Sequence, residues 1–296
     1  MSDRAGFSLA PTRQLRRRKL VNRLAEFLML TAALAAIAVL VAVIVAVLQR
    51  GHGALSKDFF TKPPSTDFLT GAGGGGIANS IAGTIVIVAC ATVIALPIGI
   101  LVAVYTSEFA HGWVRRVLAF VLDVINGIPS IVIGIFIFGI YVLQRHQSAF
   151  AAGLALSIIM LPLVARSTQE VLALVPTTLR EASFAMGVSR WRTVVGLIIP
   201  ASFGGILTGG TLAIARAAGE TAPLLFTSSL TTNQVSWSPS EALQSIPLTI
   251  FQDLEAPDPA LHEQAWGAAL VLLTFVLVVS VLSKAVLARN RRKLSR

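Results

Sequence analysis

The sequence predicts an all-α polytopic membrane protein with six transmembrane helices and both termini cytoplasmic. Three observations predict it. Of 296 residues, 55% are apolar and only 13% charged, against about 25% charged in a soluble globular domain. The charges are segregated and leave six apolar runs on the scale of the roughly 20 residues that cross a bilayer: Glu26–Leu48, Ile77–Tyr105, Val117–Leu143, Phe150–Val164, Pro200–Leu225 and His262–Leu287. Basic residues are also lopsided. With a cytoplasmic N-terminus, the segments Met1–Leu24, Thr106–Arg116, Arg166–Ile199 and Lys284–Arg296 hold 19 of the 24 Lys and Arg, the opposite loops hold 4, and Arg216 lies within a span. That is a positive-inside distribution.

The implied organisation is a basic cytoplasmic segment (1–24), a first span (25–48), an extracytoplasmic loop (49–76), a transmembrane core (77–288) containing a cytoplasmic loop (166–199), and a basic tail (289–296). The first run has 23 residues; the apolar region of a signal peptide has about 7–15, so a retained span is expected. The basic tails "RQLRRRK" and "RNRRK" read as topology determinants and contacts to anionic lipid. This placement, rather than the net charge of +10, argues against nucleic-acid binding. Inside lipid every backbone polar group must be paired. Long runs without period-2 alternation then favour helices. Pro97, Pro129, Pro162 and Pro223 interrupt them and permit kinks.

In the loop 49–76, "FFTKPPSTD" and "GAGGGG" argue against regular structure. "GAGGGG" formally satisfies G-x-G-x-x-G, but no strand precedes it and no βαβ unit surrounds it. There is no P-loop motif for ATP anywhere in the chain. In the third run, Asp123 and Asn126 precede "GIPS". Gly127, Pro129 and Ser130 can open the helix there, which either lines a path or is simply a kink.

The loop 166–199 is the longest on the cytoplasmic side. "VPTTLREASFAMG" reads as a helix start: Pro176, then Thr177 or Thr178 as cap, with Glu181 closing a capping box. Leu179, Ala182, Ser183 and Met186 share a small, moderately apolar face. Gly187 ends the helix with a left-handed residue. Ser189 can cap a second short helix carrying Trp191, Val194 and Val195. Two readings stay open: a knob that docks in a cleft of a soluble partner, or an interfacial helix pair.

In the fifth run, Gly205, Gly209, Ala213 and Ala217 recur every four residues, a face on which another helix can approach closely. Arg216 and Glu220 lie four apart, on one helix face. A charge at the bilayer centre costs roughly 2.5–3.5 kcal/mol on insertion scales, so both residues need a reason. One reading is a private ion pair. The other is that Arg216 contacts a passing oxyanion, which its planar fork suits, while Glu220 accepts a proton-bearing oxygen and Thr221 adds a hydroxyl. In the loop 227–261, "SIPLTIFQ" suggests a short helix at the membrane surface. The sixth run is mostly Val and Leu. Cys90 is the only cysteine. The four histidines, His52, His111, His146 and His262, lie in separate segments without metal-ligand spacing. Neither a metal site nor a catalytic set can be argued, and no enzymatic chemistry is expected.

Glu181-Ala182-Ser183, Gly187 and Leu197-x-Ile199-Pro200 resemble the EAA loop of ABC-importer permeases, E-A-A, three residues, G, nine residues, then I-x-L-P. Ser183 replaces the second Ala, and Leu197 and Ile199 exchange the usual pair. "GIPSIVIG" (127–134), "IIMLPLVARSTQEVLALVP" (158–176) and "ARAAGETAPLLF" (215–226) resemble the PstA family, permease subunits of phosphate-specific importers. The resemblance implies a type I (MetI-like) permease fold in a bacterial cytoplasmic membrane, working by alternating access. It implies that the loop with Arg180, Glu181, Ala182, Ser183 and Gly187 couples to an ATPase; taken with the residue chemistry above, the expected substrate path is Arg216, Glu220, Thr221, Asn126 and Ser130. The implied partners are a PstC-like permease, a PstB-like ATPase dimer and a PstS-like binding protein, with ATP and Mg held by the ATPase and no cofactor on this chain. A permease for sulfate or molybdate, or an ATP-independent secondary transporter, are the alternatives.

Overall fold

The computed structural model describes residues 13–64, 75–229 and 234–294. Among them the secondary structure is helical and contains no strand. The chain divides into two units, Met1–Gln49 and Arg50–Arg296. Among the described residues, the first holds most of helix α1 (Arg13–Gly51). Its Phe27, Leu30, Leu34 and Val41 are exposed. An all-round apolar surface suits lipid rather than water.

The second unit contains α2 (Lys57–Thr61), α3 (Ala78–Val104), α4 (Gly112–Gly127), α5 (Ser130–Ile137), α6 (Ala149–Ala173), α7 (Thr177–Ala185), α8 (Arg190–Thr193), α9 (Ile199–Ala218), α10 (Leu224–Thr227), α11 (Ile246–Glu255) and α12 (Pro259–Leu294). Single π-helical turns extend α3 (Tyr105–Phe109) and α5 (Phe138–Val142) and lead into α9 (Val194–Ile198). Five stretches are long and apolar enough to cross a membrane: Arg17–Ala54, Ala78–Phe109, Ala149–Ala173, Arg190–Ala218 and Pro259–Ala285. The α4–α5 pair supplies a sixth, bent by 96° at its break. The chain is therefore a multi-pass membrane protein.

The core is built from helices with small faces. Ile87, Ala91 and Ala95 of α3 pack with Ala152, Leu156, Met160 and Val164 of α6, and with Ala213 and Ala217 of α9. The four-residue repeats put each set on one face. Gly205 and Gly209 lie against Val171 and Ser167 of α6, with no room for a Cβ at either glycine. This is the close approach that the repeat in the fifth run predicts, and its partner is α6. Gly209→Leu is expected to lower stability by about 1–3 kcal/mol through overpacking, read as a depressed thermal midpoint in detergent. The exposed neighbour Thr208, replaced by Leu, should shift it by less than about 0.5 kcal/mol.

Several boundaries differ from the sequence expectation. The fourth span extends past its apolar run: α6 runs from Ala149 to Ala173, because Arg166, Ser167, Thr168 and Gln169 continue the helix, though at 25 residues it is still the shortest candidate span. The loop 49–76 is not free of regular structure. Helix α2 forms in it, capped by Ser56, whose Oγ accepts from the Phe59 amide at 3.1 Å. Most of "GAGGGG" lies outside the described residues, as do both chain ends. The segment "SIPLTIFQ" is helical as α11, but it packs on protein. Ile246, Leu248 and Thr249 are buried, Ser80 and Thr249 share a hydrogen bond of 2.6 Å, and the Asn79 amide donates to Gln244 at 2.9 Å.

Asp253 of α11 lies outside the membrane-spanning helices, and its Oδ2 is buried with no hydrogen-bond partner. Burial pushes its carboxyl up to about 7. The folded chain then keeps a proton that the unfolded chain loses near pH 3.8. Stability is expected to fall as pH rises from about 4 to about 7 and to level off above. Asp253→Asn should raise the thermal midpoint at about pH 8 and leave it unchanged at about pH 4.

Candidate functional site

Two helix breaks meet in the second unit. The first is Gly127–Pro129 between α4 and α5, where Ile128 and Pro129 are extended. A bend of 96° is far beyond an ordinary kink. The second follows α9. Its helix ends at Ala218, and Gly219–Pro223 lead to α10. The breaks approach closely: a Cβ on Gly134 of α5 would lie 2.7 Å from the Pro223 Cα, and Phe138 meets Phe226 edge-on at 6.4 Å. Broken helices at membrane depth leave backbone groups unpaired by the helix. That is tolerated where a cavity or protein surrounds them.

A cavity of about 220 Å³ lies at this junction, lined by Asn126, Ser130, Arg216 and Glu220 among Pro129, Ile133 and Ile159. Four of the five expected path residues thus converge. Thr221 lies at the second break but does not line the cavity. Arg216 and Glu220 do pair, with Nε 3.6 Å from Oε1, but not as side chains of one helix face. Glu220 is past the end of α9, its amide bonding back to the Ala217 carbonyl at 3.2 Å. The separation exceeds that of a good N–H···O bond. The terminal nitrogens of Arg216 have no partner among the described residues. The Arg216 side chain is 55% exposed and Glu220 20%. The guanidinium fork therefore remains available to an anion, and Ser130 puts the N-terminus of α5, the positive end of its dipole, at the same cavity.

The loop between α6 and α9 forms the two short helices α7 and α8. Gly187 has φ +75°, the left-handed conformation expected of it, and its amide donates to the Phe184 carbonyl at 2.9 Å. The expected capping box is absent. Pro176 is the N-cap and α7 starts at Thr177, without a side-chain cap. The pyrrolidine already holds φ at −56°, and a Thr inside the helix no longer accepts from its first turn. Ser189 precedes α8 as expected, but its side chain makes no capping bond. The expected face is split. Ser183 is buried and shares a 2.8 Å hydrogen bond with Thr193, whereas Leu179, Met186, Phe184 and Trp191 are exposed, as are Glu181 and Ala182. The result is a knob with an apolar tip, held to itself by the Ser183–Thr193 bond.

What sequence reasoning missed is how the knob is anchored. Arg180 points inward and donates to the carbonyls of Leu172 (2.8 Å) and Val175 (2.7 Å) and to Glu108 at 3.0 Å. Glu108 sits on the π-helical turn that ends α3 and is 8% exposed. One side chain thus ties the knob to the ends of both α6 and α3. Arg166 of α6 likewise reaches α4, donating to Asp123 and to the Ala119 carbonyl. No local pattern signals either link, because the partners lie 72 and 43 residues apart.

This combination, broken membrane helices around a charged cavity and a knob strutted to the helix ends, defines a membrane permease domain. A sequence profile of the family described as "binding-protein-dependent transport system inner membrane component" matches residues 95–296. The chain belongs to that family. It is 37% identical to the phosphate transport system permease protein PstA of Yersinia pestis over 281 residues, covering 93% of this chain and 92% of that one. It is 37% identical to PstA 1 of Mycobacterium tuberculosis H37Rv over 289 residues (94% and 92%). The PstA of Xylella fastidiosa Temecula1 is also 37% identical, over 291 residues (96% and 98%). Inward-facing structures of the MetNI methionine ABC transporter share the fold, with TM-scores of 0.57 and 0.58 at 19% and 20% identity, covering 73% of this chain and 94% of theirs. The predicted PstA and MetI-like resemblances hold. The relatives are transport components, in keeping with a chain that is not an enzyme.

Proposed function

We propose that this chain is a PstA-type permease subunit of an ATP-driven importer of inorganic phosphate. The observation that carries the reading is the free fork of Arg216 beside Glu220 in a cavity walled by apolar helices, in a chain with PstA relatives along nearly its whole length. Arg216 binds two phosphate oxygens through its terminal nitrogens. Asn126 and Ser130 contact the others. Glu220 accepts the hydrogen bond of a protonated phosphate oxygen, which sulfate cannot offer, and Thr221 borders the path.

A conduit needs more than one six-helix unit, so a second, PstC-like permease completes it. Glu181, Ala182 and Gly187 are exposed and form the surface that a PstB-like ATPase dimer grips, while the buried Ser183 holds that surface to α8 through Thr193. ATP and Mg bind there, while a PstS-like protein delivers phosphate from the opposite side. The reading has both termini and the knob on the cytoplasmic face of a bacterial inner membrane, an orientation that the 19-to-4 bias of basic residues supports.

Competition in proteoliposomes tests the cargo. Excess sulfate or molybdate should leave ATP-dependent uptake of labelled phosphate intact in the wild type, and Glu220→Gln should let sulfate compete. Uptake that persists without ATP would point to a secondary transporter. An unchanged anion preference in Glu220→Gln would remove the carboxylate from the filter.

A further inference from the structure

A second cavity, of about 550 Å³, lies behind the knob and is lined by Arg115, Arg166, Arg180 and Arg190 with Glu108. It shares no lining residue with the Arg216 cavity. Two of its arginines are already neutralised, Arg180 by Glu108 and Arg166 by Asp123. The other two are not. Arg115 and Arg190 have no carboxylate within ion-pair distance among the described residues. Arg190 lies over the Phe109 ring at 5.8 Å, a contact that orients the guanidinium without cancelling its charge. The Arg180 Nε is buried and unpartnered, and the hydroxyls of Thr106, Ser107 and Thr177 border the same space.

Two guanidiniums without a counter-charge, beside two that are paired, leave a concave surface with unbalanced positive charge, which focuses the field on a small anion. Arginine forks, unlike lysine ammoniums, match the paired oxygens of a phosphate group. We propose that this cavity is a second anion site that takes a phosphate group, either free inorganic phosphate on the knob side or the headgroup of an anionic phospholipid. Arg115 and Arg190 are both exposed, so either source can reach them, and α4 also exposes Trp113, Phe120 and Val124 on its other face, apolar surface suited to acyl chains. An anion held between Arg115 of α4 and Arg190 of α8 bridges the knob to the broken helix. The inference does not depend on which anion is transported.

The test compares the wild-type transporter with Arg115→Gln/Arg190→Gln, full chain and partners, after checking that elution and melting are unchanged. Arg190→Gln alone serves if the double variant does not fold. One arm delipidates the complex and measures labelled inorganic phosphate by equilibrium dialysis. The other uses native mass spectrometry after reconstitution in phosphatidylcholine with or without phosphatidylglycerol. In one arm binding should weaken roughly ten-fold or more in the variant, as loss of charge-assisted bonds requires, and Lys at both positions should restore part of it. Loss in the dialysis arm assigns the free ion, and loss of retained phosphatidylglycerol assigns the headgroup. Equal binding in both arms overturns the site. So does a variant that releases the ATPase with both arms unchanged, since an acidic protein surface then fills the cavity. Phosphate uptake, followed in parallel, reports on the transport reading separately.

Discussion

Arg216→Lys is expected to cut phosphate uptake by roughly 30- to 100-fold while the subunit still assembles. The size follows from the geometry. Lysine keeps the charge but loses the planar pair of donors, and each charge-assisted hydrogen bond contributes about 1.5–3 kcal/mol. Assembly should survive because the Arg216 side chain is 55% exposed and makes only a 3.6 Å pair with Glu220; α9 is held instead by its glycine and alanine face on α6. A private ion pair predicts a different result, since Lys would neutralise Glu220 as well and uptake would barely change. Uptake in vesicles, with the subunit quantified in the purified complex, separates the two.

Arg180→Ala is expected to uncouple the transporter. It removes the strut and leaves Glu108, 8% exposed, without its counter-charge, a change that costs roughly 3–5 kcal/mol in a buried pair. The exposed knob surface, with Glu181 and the apolar tip, is untouched. The ATPase should therefore still bind and hydrolyse ATP, while uptake falls at least about ten-fold because motion of the knob no longer reaches α3 and α6. Parallel assays of hydrolysis and uptake decide it. If both fall together, the strut merely folds the loop. Glu181→Lys is the contrasting variant: it alters the gripped surface and should detach the ATPase without disturbing the Arg180–Glu108 pair.

Much of this site was legible in advance because its signals are local. Arg216 and Glu220 stand out as charges in an apolar run, and "GIPS" contains the residues that open a helix. Their meeting was not legible. Asn126 and Ser130 reach Arg216 only because α5 packs its Gly134 against Pro223. The capping box failed for a related reason: the Thr178–Glu181 spacing was right, but the N-cap is Pro176, two residues before Thr178.

The sequence by itself determined how many apolar stretches this chain has, which face of α9 is small enough for close packing, where left-handed backbone is needed at Gly187, and where charge enters hydrocarbon. Each of these depends on residue type and short-range periodicity. Only the tertiary structure decided that a 96° break separates α4 from α5, that Arg180 finds Glu108, that Arg166 finds Asp123, and that two unneutralised arginines share a cavity. Those outcomes depend on which helices lie side by side, and helix packing brings together residues that no local pattern relates.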